Sequence, residues 1–299
     1  MHKRRIKKSP ISFGVGFILV IILFASQKNV GLQSQVPRRV ISLAPNLTEM
    51  IYRLGVEKYL VGRTSYCNYP PTVKQLPSVG GYLDPDYETM VSLQPEVVFM
   101  LKGAYYRNHF QQLGIPTVEF SAETIEDILL SLQKMGEIFQ IQRRAVDVVR
   151  QIRDTLKMVE KNVRPTSPTA LIMIGHEPGV LRGLYVVSNG SFIGQLWRKA
   201  GGRNVFPQEE PHFFETSLEN VLAANPEIII DLHGSSLTNV QKQQCQQLWQ
   251  AFPQITAVKK RHIFVLDQPG VLIPGPRITR TAWLFHQLIQ QVEHTAMKE

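Results

Sequence analysis

The sequence predicts an α/β protein of two lobes joined by one long helix and preceded by a hydrophobic segment, an expectation that three observations carry. First, YETMVSLQPEVVFM at 87–100 returns as LENVLAANPEIIID at 218–231. Aligned on Glu88 and Glu219, each copy has an apolar pair (Met90-Val91, Val221-Leu222), a Pro-Glu step (95–96, 226–227) and further apolar residues. The spacing before each proline is helical and the run after it is short and apolar, so each copy predicts a short helix feeding a buried strand. A helix leading into a strand is also the commonest unit of α/β proteins, so the echo alone admits coincidence. Second, strand and helix signals alternate along most of the chain. Third, residues 124–163 hold two helical stretches with no strand signal between them.

Taken in order, RRVISL at 38–43 predicts the first strand, and Asn46 with Glu49 three residues later predicts a capped helix that Gly55 closes. VVFM ends a strand near Met100, Tyr105 to Leu113 is helical with Gly114 as its stop, and TVEF at 117–120 is the next strand. Residues 36–140 thus form a parallel-sheet lobe. From Arg143 the run RRAVDVVRQIRDTLKMVEKNV keeps apolar residues at helical spacing; at 1.5 Å per residue it predicts a helix of about 30 Å, bridging the lobes over 141–164. PTSP at 165–168 marks a boundary, and the second lobe, 165–299, follows. Its strands are ALIMI (170–174), YVV (185–187), IIID (228–231) and IFVL (263–266), and its helices run from Ser191 to Ala200 and from Thr279 to Met297.

The chain has 299 residues, 43% of them hydrophobic and 19% charged, enough to build a sizeable core. Its formal charge of +9 draws six units from Lys3, Arg4, Arg5, Lys7, Lys8 and Lys28, and residues 1–30 hold no acid. Nine less six leaves +3 for residues 31–299, with no basic cluster interleaved with aromatics, which speaks against nucleic-acid binding. The basic start is followed by a charge-free stretch from Ser9 to Gln27, so residues 1–35 read as a signal peptide or a membrane anchor that sends the rest outward. The poor small-x-small pattern around Phe24-Ala25-Ser26 favours the anchor. Two cysteines, Cys67 and Cys245, permit one bridge in an oxidising compartment and equally permit two separate thiols.

Six motifs follow one another: RVISLAPNLTEMIYRLG (39–55), VGRTSYCNYPP (61–71), VGGYLDPDYETMVSLQPEVV (79–98), SNGSFIGQLWRKAGGRNVF (188–206), SLENVLAANPEII (217–229) and PGPRI (274–278). In that order they resemble the substrate-binding proteins of ABC importers, in the class with a rigid interlobe helix that carries cobalamin, haem or ferric siderophores. The vitamin B12-binding branch is the most similar. The resemblance implies a class III periplasmic binding protein with two Rossmann-like lobes, periplasmic or extracytoplasmic, and anchored to the inner membrane if residues 9–27 are retained. It implies no enzyme and no cofactor of its own: a monomer that takes cobalamin into the interlobe cleft and delivers it to an ABC permease dimer with its ATPase. Haem or a ferric siderophore is the alternative cargo, and a corrinoid- or haem-handling protein that never meets a permease is the alternative role. The rigid helix implies a closure of a few degrees.

In that family each lobe presents a surface glutamate that sits over arginines of the permease, so the resemblance implies Glu88 and Glu219 as the docking pair. Charges so placed steer an encounter and set its register. Helix capping competes for Glu219, because Thr216 three residues earlier would complete a capping box; Pro85, three before Glu88, offers no side-chain acceptor. For the ligand the resemblance implies Tyr66, Tyr82 and Phe213, aromatic rings suited to a large planar molecule. The loop Gln268, Pro269, Gly270, Val271, Leu272, Ile273 departs from the aromatic and charged pattern of the cobalamin binders and keeps the iron ligands open. Tyr105, His176 and Arg182 are candidates for carboxylates, iron or catecholates. His176, His212 and His233 lie near strand ends or in loops without paired spacing, so no metal site is expected and each reads as a surface or hydrogen-bonded histidine. Gly190-Ser191-Phe192-Ile193-Gly194 has the wrong spacing for a nucleophile elbow, and no Walker or Rossmann glycine loop is present. Asn46 and Asn189 head glycosylation sequons.

Overall fold

Short β-branched runs, too apolar to face water on either side, assemble into two sheets. The structure is a computed structural model and describes residues 35–81, 84–163 and 167–296. The charge-free segment and Tyr82 lie outside the described residues, among which no helix is long and apolar enough to cross a membrane. In the N-terminal lobe the order is β1 (Val40–Ser42), α1 (Pro45–Leu54), β2 (Leu60–Arg63), α2 (Tyr87–Ser92), β3 (Val97–Leu101), α3 (Arg107–Gln112) and β4 (Thr117–Phe120). Its strands lie β2-β1-β3-β4, all parallel. Helices α4 (Ile125–Ile138) and α5 (Gln142–Lys161) follow. The C-terminal lobe holds β5 (Thr169–Gly175), β6 (Leu184–Val187), α6 (Phe192–Lys199), β7 (Arg203–Asn204), β8 (Phe213–Thr216) and α7 (Leu218–Ala224). It continues with β9 (Ile228–Leu232), α8 (Asn239–Leu248), α9 (Thr256–Lys259), β10 (Ile263–Leu266) and α10 (Ile278–Ala296). Here the order is β10-β9-β5-β6-β8, with β7 beside the start of β5. β10, β9 and β5 run parallel; β6 is reversed and pairs antiparallel with both β5 and β8.

The sequence echo is a structural repeat. Asp86 and Ser217 cap α2 and α7 through their side chains, which places Glu88 and Glu219 at the second position of each helix. Met90 and Val221 are the fully buried members of the two apolar pairs. Gln94 and Asn225, just before the prolines, both take a left-handed backbone at φ 44°. Glu96 then accepts the Arg38 backbone N–H at 2.7 Å, and Glu227 that of Thr169 at 2.8 Å. Each glutamate thereby ties off the neighbouring strand at its start, β1 in one lobe and β5 in the other.

Alternate residues of each central strand serve different cores. Val40, Val97, Phe99, Val118 and Phe120 join one large cluster, whereas Ile41, Val98 and Met100 face a second on the other side of the sheet. In the C-terminal lobe Ala170, Ile172, Ile228 and Ile230 belong to the same large cluster, and Leu171, Met173 and Ile229 to a third. One core therefore runs through both lobes, and α5 lies within it. Ala145, Val148, Val149, Ile152, Leu156 and Val159 form its buried stripe. Arg53 of α1 bonds Gln151 near its middle, and Lys199 of α6 pairs with Glu160 near its end.

Several expectations change in detail. Asn46 does not cap α1: the cap position is Ala44, Pro45 opens the helix with its pre-set φ, and Asn46 is buried inside. Burial also removes the first sequon as an acceptor. Gly55 does close α1, in the left-handed conformation at φ 66°. Thr216 lies in β8 and Ser217 supplies the cap of α7, so neither glutamate belongs to a capping box. Cys67 and Cys245 are separate thiols; Cys67 is buried against the Thr48 and Thr64 hydroxyls. α8 and β8 carry no signal that periodicity could detect: NVQKQQCQQL is too polar for a helical stripe and FFET too short for an alternation.

Candidate functional site

Parallel strands deliver their following loops to one end of a sheet, and in this chain the two sets of carboxyl-end loops meet. Their meeting point on one side is Arg277, just ahead of α10. Its Nε and Nη2 donate to Glu49 Oε2 and Oε1 at 2.8 and 2.5 Å, and its Nη1 donates to the Pro269 carbonyl at 2.8 Å. The guanidinium also stacks on Tyr69, 4.1 Å from the ring centroid. One side chain thus joins α1, the loop after β2 and the loop after β10. Burial pushes the Glu49 carboxyl above its ordinary value, and the Arg277 hydrogen bonds and charge oppose it. Gly270 sits at φ 91°, and a Cβ there would stand 2.4 Å from the Arg277 guanidinium carbon, so the seat of Arg277 requires glycine.

Near the start of α4 the lobes meet again. The Glu123 carbonyl accepts the Phe192 N–H at 2.7 Å, and Gln195 Oε1 accepts that of Ile125 at 3.0 Å. His212 stands between carboxylates, Nδ1 3.1 Å from Glu123 and Nε2 3.0 Å from Glu210.

Two cavities flank the Arg277–Tyr69 stack. One of about 730 Å³ is bordered by Glu49, Tyr52, Gln151, Met158 and Arg280; the other, about 670 Å³, by Gln268, Pro269, Val271, Trp283 and Leu284. A third of about 680 Å³ lies in the C-terminal lobe between the loops after β5 and β9 and helix α8. Its wall includes His176, His233 and Cys245. Behind them the buried Asp231 carboxylate lies 3.7 Å from His176 Nε2 and 3.1 Å from His233 Nε2. Asp231 raises the His176 imidazole to about 9, against the opposing effect of burial. Burial drives the Asp231 carboxyl up, and the two imidazoles more than reverse it, leaving it below its ordinary value.

Tyr66 stands 63% exposed in the loop after β2, its ring against Gly81. Phe213 is half-buried in β8 opposite Val187 and packs on the shared core. Neither lines the three cavities above. Tyr105 is 56% exposed and meets Tyr106 edge-on; Arg182 is an exposed residue 4.0 Å from Glu177. Glu88 and Glu219 are both exposed, one on each lobe, and neither is in an ion pair among the described residues.

A model of the periplasmic binding protein family matches residues 40–269. The chain belongs to that family. Its members are extracytoplasmic solute-binding proteins, and this one is a binding protein and not an enzyme. It is 27% identical over 289 residues to a vitamin B12-binding protein of Photorhabdus laumondii, a match that covers 95% of this chain and 97% of the relative. To the ABC transporter substrate-binding lipoprotein YvrC of Bacillus subtilis it is 23% identical over 264 residues, 85% of this chain and 80% of that one. Among solved structures, the vitamin B12-binding protein BtuF of Vibrio cholerae has the same fold, with a TM-score of 0.70 at 20% identity over 86% of this chain and 98% of that one. A periplasmic heme-binding protein of Pseudomonas aeruginosa gives 0.69 at 23% identity, covering 84% and 91% of the two chains. An ABC-type Fe3+-hydroxamate transport protein of Saccharomonospora viridis gives 0.70 at 25%, covering 85% and 93%.

In this periplasmic binding protein the residues that tie the lobes, Glu49, Tyr69 and Arg277, escape periodicity analysis. A buried ion pair 228 residues apart in sequence leaves no local trace. The PGPRI motif was the available signal, and it marks Arg277 without naming its partner. The fold also gathers His176, Asp231, His233 and Cys245, where spacing alone suggested isolated histidines.

Proposed function

We propose that this protein is the substrate-binding component of an ABC importer, and that it captures a corrinoid, cobalamin, between its lobes and delivers it to a permease dimer with its ATPase. In this reading residues 36–140 and 165–299 are the lobes, 141–164 the interlobe helix, and residues 9–27 a tether to the inner membrane. The observation that carries the receptor role is the pair of exposed glutamates, Glu88 and Glu219, at the same position of equivalent helices, one per lobe. Two carboxylates so placed fit a two-fold partner that offers a cation to each. Support for cobalamin is the likeness to vitamin B12-binding proteins along nearly the whole chain. Tyr66, the most exposed of the large aromatics among the described residues, with Tyr82 and Phe213, would supply ring surface to the corrin.

A second reading keeps the receptor role and changes the cargo to haem or a ferric siderophore. Two features favour it: residues 268–271 bring no charged side chain to the mostly apolar cavity they border, and solved structures with this fold include heme and Fe3+-hydroxamate proteins. Calorimetric titration of the full chain with cyanocobalamin, haemin and a ferric hydroxamate separates the readings. One-to-one binding of cyanocobalamin, weakened roughly tenfold by Tyr66→Ala, is the expected result. Heat from an iron ligand alone moves the cargo to iron, and silence with all three removes the proposed cargo class.

A further inference from the structure

We propose that the C-terminal lobe carries a site for one transition-metal ion of the zinc type, formed by His176, Asp231 and Cys245, with His233 as the neighbour that supports Asp231. The site is separate from the cargo reading above and does not depend on it. The ligating atoms of His176, Asp231 and Cys245 all lie within 4.8 Å of one another. They come from three elements: the loop after β5, strand β9 and helix α8. Imidazole, carboxylate and thiolate together form a donor set that suits zinc.

Independent observations point the same way. Asp231 is only 1% exposed, yet its Oδ1 makes no hydrogen bond; neither does His233 Nε2, although the two atoms stand 3.1 Å apart. A buried carboxylate oxygen that faces a ring nitrogen without a good hydrogen bond is poorly satisfied, and a cation on the carboxylate corrects that. His176 is already oriented for the task. Its Nδ1 lies 2.8 and 3.0 Å from the Glu177 and Val180 carbonyls, so Nδ1 carries a proton and Nε2 is the nitrogen that faces Asp231. A carbonyl holding the far nitrogen is the usual support of a metal-bound histidine. The cluster opens onto the cavity of about 680 Å³, which gives an ion a way in.

Helix α8 supplies the reason for such a clip. None of its residues is buried, and it is held to the sheet by Lys242 on Asp267 and by Gln246 on the Ile263 carbonyl. On binding, Cys245 Sγ and His176 Nε2 each give a proton to solvent as their bonds to the metal form, and α8 is fastened to β9.

The test is titration of the purified, chelator-treated full chain with Zn²⁺ against a chromophoric chelator, and with Co²⁺ followed by absorption. One ion per chain is expected, with tetrahedral Co²⁺ bands and a thiolate-to-cobalt charge-transfer band. Losing even an outer-sphere partner costs roughly 10- to 100-fold in metal affinity, so Cys245→Ser and His233→Ala should each cost at least that much, and Cys245→Ser should erase the charge-transfer band. His212→Ala, outside the cluster, should change nothing. If Zn²⁺ fails to bind, or binds Cys245→Ser as tightly as the parent chain with no sulfur band, the cluster is a His-Asp-His ion-pair network and the proposal falls.

Discussion

Arg277 shows how much one residue decides. Its guanidinium satisfies a carboxylate that α1 carries into the interior, and both side chains are almost wholly shielded from water. Arg277→Ala would leave Glu49 buried with only the more distant charge of Arg280 to oppose it, at a cost of about 3–5 kcal/mol. Chemical denaturation should read that loss, and it should shrink on acidification. The sign follows from Glu49: burial without Arg277 raises its folded-state pKa above the unfolded value, so the penalty exists only where the unfolded carboxyl is ionised and fades as falling pH neutralises it. Replacing both partners by leucine should recover much of the deficit, because a well-packed apolar pair needs no counter-charge. At this scale the sequence was partly legible. Glu88 and Glu219 stand out by their repeat, whereas Glu49 read as a helix-capping acid because its partner lies 228 residues away.

At the scale of elements, α4 and α5 carry the connection between the lobes. Thr124 and Asp127 form a full capping box at the start of α4, and the buried stripe of α5 repeats at helical spacing, which is why both helices were readable from the sequence. Their close packing was not. Gly136 faces Ala145 so closely that a Cβ at 136 would stand 2.4 Å from the alanine methyl. Gly136→Val should therefore force the helices apart and destabilise the protein by about 1–3 kcal/mol, measured by thermal or urea unfolding. Ala145→Gly in the same chain should return part of the loss; if the double variant is no more stable than the single one, the helix contact is not the cause. Elements α8 and β8 were missed for a reason of the same scale. A polar helix held by a few side-chain bonds and a four-residue edge strand depend on neighbours that no window of sequence contains.

For the whole molecule, one apolar core passes through both lobes by way of α4, α5 and α10. Opening the lobes widely would expose part of it, so the expected closure on ligand is a few degrees. Small-angle scattering of the free and loaded full chain should show nearly equal radii of gyration, and a marked compaction would refute the stiff connection. Docking belongs to this scale as well, since it needs both lobes in register. Glu88→Arg with Glu219→Arg should abolish ATP-dependent uptake while leaving cargo affinity unchanged, because both residues are exposed and neither lines the cavities described. Uptake at the parent rate in the double variant would refute the docking pair.

By itself the sequence determined the alternation of strands and helices, the long bridging helix and the internal repeat. These depend on periodicity, caps and prolines that act within a dozen residues. Tertiary structure alone decided that β6 runs antiparallel between β5 and β8, that Arg277 meets Glu49 and Tyr69, and that Asp231 gathers two histidines and a cysteine. The physical reason is common to all three. A buried charge or an edge strand is stabilised by whatever the fold places beside it, and that neighbour is set by the packing of the sheets and helices, not by distance along the chain.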